Sequence, residues 1–216
     1  MPILDPAQRH IHDAALRLFA KSGGDRITVR DLALEAGVAR GTIYNHVRSI
    51  DTLFEEIADQ LVGEMHERLR QTFDTTGDPV QRMAICTRLL LRRTHDEPDW
   101  GRFICRFGQT PTLLKEIWFG QTQKDLIAGV ESGRYCISKE QLTTAMAMVI
   151  GSVLGACMLV LEGYRGWREA GTEVAELILR ALGISATEAQ ELSNMELPDL
   201  WGVSDVTNNR NSYQQN

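Results

Sequence analysis

Along most of this chain the apolar residues recur every three or four positions, the period of one helix face. The strict alternation of a half-buried strand is nearly absent, and glycine or proline interrupts the pattern at helix-length intervals. The predicted fold class is all-α, with about nine to ten helices. A first helix opens at Asp5, an N-cap followed by Pro6 at the first helical position and by Gln8, which completes a reciprocal cap. Ile11, Ala14, Ala15, Leu18 and Phe19 mark its inner face, and Gly23 and Gly24 end it. A short second helix opens at Thr28, with Asp31 three residues on, and stops at Gly37. A third spans about 39–47. The fourth is long: Ser49 caps it, Leu53, Ile57, Leu61, Met65 and Leu69 form a stripe reaching Phe73, and the run 75–79 breaks it.

Further helices are predicted near 79–95, 98–108, 111–132, 138–163 and 168–182, with a last short one opened by Ser185 and Glu188. The stretch 141–161 carries no charged residue and approaches the ~20 residues that cross a bilayer. Gln141, Thr143, Thr144 and Ser152 dilute it, and acidic Glu140 and Glu162 flank it without a one-sided basic cluster. A helix buried on most sides is expected, and no membrane span. Gly151, Ser152, Gly155 and Ala156 are small positions where another helix can approach, while Met146, Val149, Val153, Cys157 and Leu161 fill another side. Val174, Leu177, Ile178 and Ala181 stripe the helix at 168–182. Two such helices per subunit make a four-helix interface, so a homodimer through 138–163 and 168–182 is expected. Residues 204–216 are polar and read as a flexible tail.

The sharpest chemistry lies in residues 27–47, ITVRDLALEAGVARGTIYNHV. Two short helices flank a tight turn at Gly37, and Leu32, Ala33, Val38, Ile43 and Val47 hold them together. This is the pattern of a helix-turn-helix, whose second helix enters the major groove. Arg40, Gly41, Thr42, Tyr44, Asn45 and His46 project from that second helix. Arg, Asn and Thr can read base edges. Thr28, Arg30, Tyr44, His46 and Arg48 suit phosphate contacts, which fix register rather than sequence.

Taken with its flanks, the arrangement resembles the TetR family of transcriptional regulators. The matching elements are Ala15, Leu18 and Phe19 of the first helix, ThrValArgAspLeuAla at 28–33, AlaGlyVal at 36–38, GlyThrIleTyrAsnHisVal at 41–47 and AspThrLeuPhe at 51–54. They cover about residues 6–57. The resemblance implies an all-α homodimer whose N-terminal domain (1–49) binds a near-palindromic operator. It further implies that a larger C-terminal domain (50–203) binds an inducer and dimerises. Two positions depart from the family pattern. Ala39 stands where Ser or Thr often caps the recognition helix, and Ile50 follows Ser49 where Lys often meets a phosphate, a role left to Arg48.

Charge bears on that reading. The 216 residues carry 23 Lys+Arg and 29 Asp+Glu, a net charge of −6, which argues against a globally basic nucleic-acid coat. The acidity is uneven. Residues 1–49 hold seven basic and five acidic side chains, a net +2, and the remainder carries −8. A mildly basic head on an acidic body limits non-specific DNA binding without excluding specific binding. Cys86, Cys105, Cys136 and Cys157 form no CxxC pair or zinc spacing, and with no basic-then-apolar start a reducing cytoplasm is expected.

No motif in the C-terminal part names a ligand. Residues 98–119 are rich in aromatics, and pockets are mostly apolar with a few polar anchors. The candidate ligand contacts are therefore Trp100, Phe103, Phe107, Trp118, Met146 and Cys157, for an apolar or aromatic small molecule; each is also an ordinary core residue type. Arg92, Arg93, His95, Arg102 and Arg106 read as solvated or paired with Asp96, Glu97 and Asp99. Cys105, beside Arg102 and Arg106, is a candidate low-pKa thiol. No nucleophile motif, phosphate loop or metal spacing appears, so neither an enzyme nor a cofactor is expected.

Overall fold

A computed structural model describes residues 5–21, 27–73, 77–108 and 120–198. Among them are ten α-helices: α1 Pro6–Lys21, α2 Val29–Glu35, α3 Arg40–His46, α4 Ile50–Phe73, α5 Pro79–Asp96, α6 Pro98–Phe107, α7 Gln121–Glu131, α8 Leu142–Leu161, α9 Trp167–Ala181 and α10 Ala186–Asn194. A 3₁₀ turn, Lys139–Gln141, leads into α8. The predicted stop at Gly23 and Gly24, the helix start at 111, Trp118 and the 204–216 tail lie outside the described residues.

The local signals do the work expected of them. Asp5 accepts from the Gln8 amide at 2.8 Å, and the Gln8 side chain accepts from the Asp5 amide at 3.1 Å. Thr28 and Asp31 close a reciprocal cap on α2, with the Asp31 amide donating to Thr28 Oγ1 and the Thr28 amide to Asp31 Oδ2. The Thr52 amide donates to Ser49 Oγ at the start of α4. At Ala39 no side-chain cap exists, as its methyl dictates. Gly37 takes φ +63°, a left-handed turn that a Cβ would strain.

Two cores form. In the head, Ile11, Ala14 and Ala15 of α1 meet Leu32 and Ala33 of α2, Ile43 of α3 and Leu53, Ile57 and Leu61 of α4. This core does not stop at residue 49. The first half of α4 belongs to it, and so do Trp100, Phe103 and Ile104 of α6, so α4 and α6 serve both units. In the body α5 is central. Val80, Met83, Ala84 and Leu91 pack with Leu126 of α7, with Val149, Ile150 and Val153 of α8, and with Val174, Ala175 and Ile178 of α9.

Helix α8 with its leading turn is the one described segment long and apolar enough to cross a membrane. Its inner face, including Ala145, Met146, Val149, Val153 and Cys157, is buried in the body core. Its outer face bears Met148, Gly151, Gly155, Met158 and Leu159 at helical spacing. An added Cβ at Gly151 or Gly155 would meet nothing within 4 Å. Packing within the chain therefore does not require these glycines, which each cost roughly 1 kcal/mol relative to Ala in a helix.

Candidate DNA interface and ligand cavity

The turn at Gly37 sets α3 beside α2, and burial of Ile43 fixes which face of α3 turns inward. Arg40, Gly41, Tyr44 and Asn45 are exposed on the other face, with Tyr44 showing 68% of its surface. Thr42 is half-buried beside them. An added Cβ at Gly41 would also meet nothing, so that position is open to close approach from outside. His46 is half-buried, its Nδ1 3.9 Å from Asp5 Oδ2, which turns part of its ring toward α1.

Arg30 and Arg48 are exposed, and among the described residues neither they nor Arg40 enters an ion pair. Arg17 and Lys21 instead converge on Glu35, at 2.7 and 3.9 Å, and tie α1 to α2. Thr28 is differently engaged from the phosphate role expected of it. Its hydroxyl proton goes to Asp31 Oδ2 at 2.6 Å and its oxygen accepts from the Asp31 amide, so it holds the cap closed. The Thr28 hydroxyl and the Thr28 amide, both donating to that carboxylate, hold the Asp31 carboxyl below its ordinary value. Leu34, 82% exposed, lines a shallow groove with Arg30, Val38 and Arg40; nothing in its helical period marked it for the surface.

A second site lies in the body. Leu61, Met65 and Leu69 of α4, Met83 and Leu90 of α5, Ile104 of α6 and Val149, Ile150 and Val153 of α8 enclose a cavity of about 90 Å³. Trp100 and Cys157, two of the candidate ligand contacts, are on its wall, and Cys86, Thr87, Gln121 and Thr122 add polar atoms. None of the described lining residues is charged. The buried Trp100 indole Nε1 has no hydrogen-bond acceptor among the described residues.

Four expected ligand contacts are placed elsewhere or not described. Phe103 and Phe107, on the flank of the same apolar face of α6, join Phe19 and Phe54, with ring centroids 4.9–6.3 Å apart. Trp100, Phe103, Ile104 and Phe107 share one face of α6, at i, i+3, i+4 and i+7, so it is the arrival of Phe19 and Phe54 from α1 and α4 that separates the two aromatics from the cavity lining. Met146 is packed in the body core away from the cavity lining. Trp118 is not among the described residues.

The aromatic cluster docks the head on the body. Arg106 strengthens it by donating to the carbonyls of Phe19 and Ala20, both at 3.1 Å, at the C-terminal end of α1. A cation there also meets the negative end of the helix dipole.

Of the two expectations for Arg93, solvated or paired, it meets the second through Glu97, and it is only 1% exposed. It reaches Glu64 of α4 at 3.2 Å and Glu97 at 3.1 Å, and its guanidinium lies 4.4 Å from the Trp100 ring centroid. One side chain thus links α4, α5 and the cavity wall. The Cys105 thiol differs from expectation. The neighbouring Cys157 and the thiol's own partial burial push its pKa up rather than down, and Cys105 Sγ lies 3.8 Å from the Leu154 carbonyl.

Two sequence profiles match the chain. One, of bacterial regulatory proteins of the tetR family, covers residues 11–57. The other, of the tetracyclin repressor-like C-terminal domain, covers 78–195, just over half of the chain. The HTH-type transcriptional repressor Rv1474c of Mycobacterium tuberculosis is 33% identical over 109 residues, 44% of this chain and 54% of that protein. The HTH-type transcriptional regulator AcrR of Shigella flexneri is 37% identical over 76 residues, 34% of each chain. The chain thus spans about half or less of the length of these curated relatives.

The solved structure of RolR in complex with resorcinol superposes with a TM-score of 0.69 at 25% identity, over 90% of this chain and 96% of that one. FadR from Bacillus subtilis in complex with stearoyl-CoA gives 0.68 at 18% identity over 79% and 97%, a likeness of fold alone. These relatives are regulators of transcription rather than enzymes. With its head, its body and just over half its length in the C-terminal match, the chain belongs to the TetR family of bacterial transcriptional regulators.

Proposed function

We propose that the protein is a homodimeric, sequence-specific DNA-binding repressor that a small molecule releases from its operator. The observation that carries this is the sharing of α4 and α6 by two sites. Both helices line the cavity, through Leu61 and Met65 and through Trp100 and Ile104, and both pack into the core of the head. A molecule that enters the cavity and displaces either helix moves the head with it.

In the dimer two recognition helices would enter successive major grooves about 34–36 Å apart. The outer face of α8, with its open glycines, and the exposed Leu177 of α9 are the surfaces offered for the four-helix interface. The inducer acts by binding better to the spacing that does not fit the operator. The coupling expected is about 1–3 kcal/mol. A DNA partner places the protein in the cytoplasm.

The cavity's chemistry narrows the inducer. Described wall residues without charge favour a neutral molecule, and 90 Å³ is on the scale of the ~150 Å³ apolar cavity that holds a benzene ring. A relative with this fold is solved with resorcinol, which accords with a small aromatic ligand. A ligand oxygen that reached the Trp100 Nε1–H would relieve a buried unpaired donor, which costs about 1–3 kcal/mol.

The test is a gel shift with DNA from upstream of the protein's own gene, repeated with compounds that raise its melting temperature. A shift at low salt, abolished by such a compound, is expected. The absence of any shift at low salt overturns the DNA-binding reading. A shift that no stabilising compound reverses overturns the inducer.

A further inference from the structure

We propose that Leu34 reads sequence: its side chain packs on the methyl group of a thymine in the major groove, beside the base that Arg40 meets. This inference rests on the DNA-binding reading and adds to it a residue outside the recognition helix.

Intrachain packing gives Leu34 no reason to be apolar. On α2, Leu32 and Ala33 turn into the core of the head, while Arg30 and Leu34, four residues apart, share the outward face. Leu34 is 82% exposed, the most open large apolar side chain among the described residues. A single exposed leucine is ordinary on a protein surface. Its setting is what distinguishes this one.

The turn builds a groove around it. The Gly37 amide donates to the Leu34 carbonyl at 3.2 Å and the Val38 amide to the Ala33 carbonyl at 3.0 Å, which fixes the end of α2 against the start of α3. Gly37, at φ +63°, has open space where a Cβ would stand. Leu34 therefore lines a groove with Arg30, Ala33, Gly37, Val38 and Arg40.

Charge selects the occupant. Both acids of α2 are engaged away from the groove. Asp31 accepts from the Thr28 amide and hydroxyl, and Glu35 pairs with Arg17 and Lys21. Arg30 and Arg40 enter no ion pair among the described residues. An apolar strip between two available cations suits a polyanion that also carries apolar groups. Duplex DNA is such a partner, since the thymine methyl is the apolar group on the major-groove edge of its base pairs. A second copy of this groove would set arginine against arginine instead.

Position selects the base. In a helix-turn-helix the N-terminal residues of the second helix contact base edges, and Arg40 is the first residue of α3. Arginine pairs with guanine O6 and N7. Leucine has no polar atom in its side chain, so beside that guanine it is matched by a thymine methyl. A cytosine there would offer an amino donor that leucine cannot accept from.

The test uses the full chain and DNA from upstream of its own gene, with deoxyuridine randomly replacing thymidine. Bound and free fragments are separated by gel shift and cleaved at uracil, which lacks only the methyl. Wild type should lose about fourfold in affinity at one thymine per half-site, the worth of burying one methyl group. In Leu34→Ala that position should become indifferent to uracil, with other positions and the melting temperature unchanged. Leu34→Met keeps an apolar contact and should restore the sensitivity. Wild type without a uracil-sensitive thymine, or the same sensitive thymines in Leu34→Ala, overturns the proposal. Loss of only a second, slower band in Leu34→Ala places the side chain against a neighbouring copy and overturns it too. A wild type that shifts no fragment at low salt overturns the DNA-binding reading and this one with it, so a shifted band tells the two failures apart.

Discussion

Thr28 shows how much one side chain can settle. Its oxygen accepts from the Asp31 amide and its proton serves the Asp31 carboxylate, so one hydroxyl closes the start of α2. Thr28→Ala should cost about 1 kcal/mol in chemical denaturation near neutral pH. The same change should let the Asp31 carboxyl rise toward its ordinary 3.8, visible as an NMR titration. Because the Asp31 value is lowered in the folded chain, the stability it contributes is present above the ordinary value. It is lost as pH falls through the lowered one, and the difference between wild type and Thr28→Ala should shrink there.

Tyr44 and Thr42 belong to the same scale. Tyr44 is exposed without an intrachain reason, and Thr42 sits half-buried at its side. Alanine at either should weaken operator binding by roughly 1–3 kcal/mol with little change in melting temperature. Unchanged affinity in both variants would remove α3 from the interface.

At the scale of the element, the two flanks of one apolar face of α6 have two duties. Trp100 and Ile104 line the cavity, while Phe103, Phe107 and Arg106 dock the head. Arg106→Met keeps the stem but removes two charge-assisted hydrogen bonds to α1. It should lower stability by about 1.5 kcal/mol, the low end for such bonds because the side chain is largely exposed. Calorimetry should read that loss as a lower melting temperature.

Helix α8 is two-faced. Its inner residues fill the body core, and the open glycines of its outer face have nothing to meet within the chain. Gly151→Trp should leave the helical signal in circular dichroism intact and yield a monomer in analytical ultracentrifugation. A variant that sediments as wild type would move the interface elsewhere.

For the molecule as a whole, charge separates the two units. The head carries +2 and the rest −8, so the body repels a phosphate backbone everywhere but at the docking face. Operator affinity should fall linearly on a log–log plot against salt, with a slope of about −0.9 per phosphate neutralised. Arg30→Ala, Arg40→Ala and Arg48→Ala should each flatten that slope by about one unit where the side chain meets a phosphate. A slope near zero would mean that the exposed arginines do not engage the backbone.

The sequence by itself determined the helices and the head. Caps at Asp5, Thr28, Ser49 and Ser185, the turn at Gly37 and the stripe Leu53–Leu69 are local signals, carried by spacing along one segment. What only the tertiary structure decided depends on residues far apart in the chain. The period of α6 puts Trp100, Phe103, Ile104 and Phe107 on one apolar face, but does not show which of them meets a cavity and which meets Phe19. A charged run gives no sign that Arg93 alone is buried, because its burial depends on Glu64 and Trp100 arriving from other helices. The close approach of α6 to Thr94 of α5 and Leu161 of α8 depends on a missing Cβ at Gly101, which matters only once those helices are packed. Periodicity assigns a face to each residue, and only the assembled helices assign each face its neighbour.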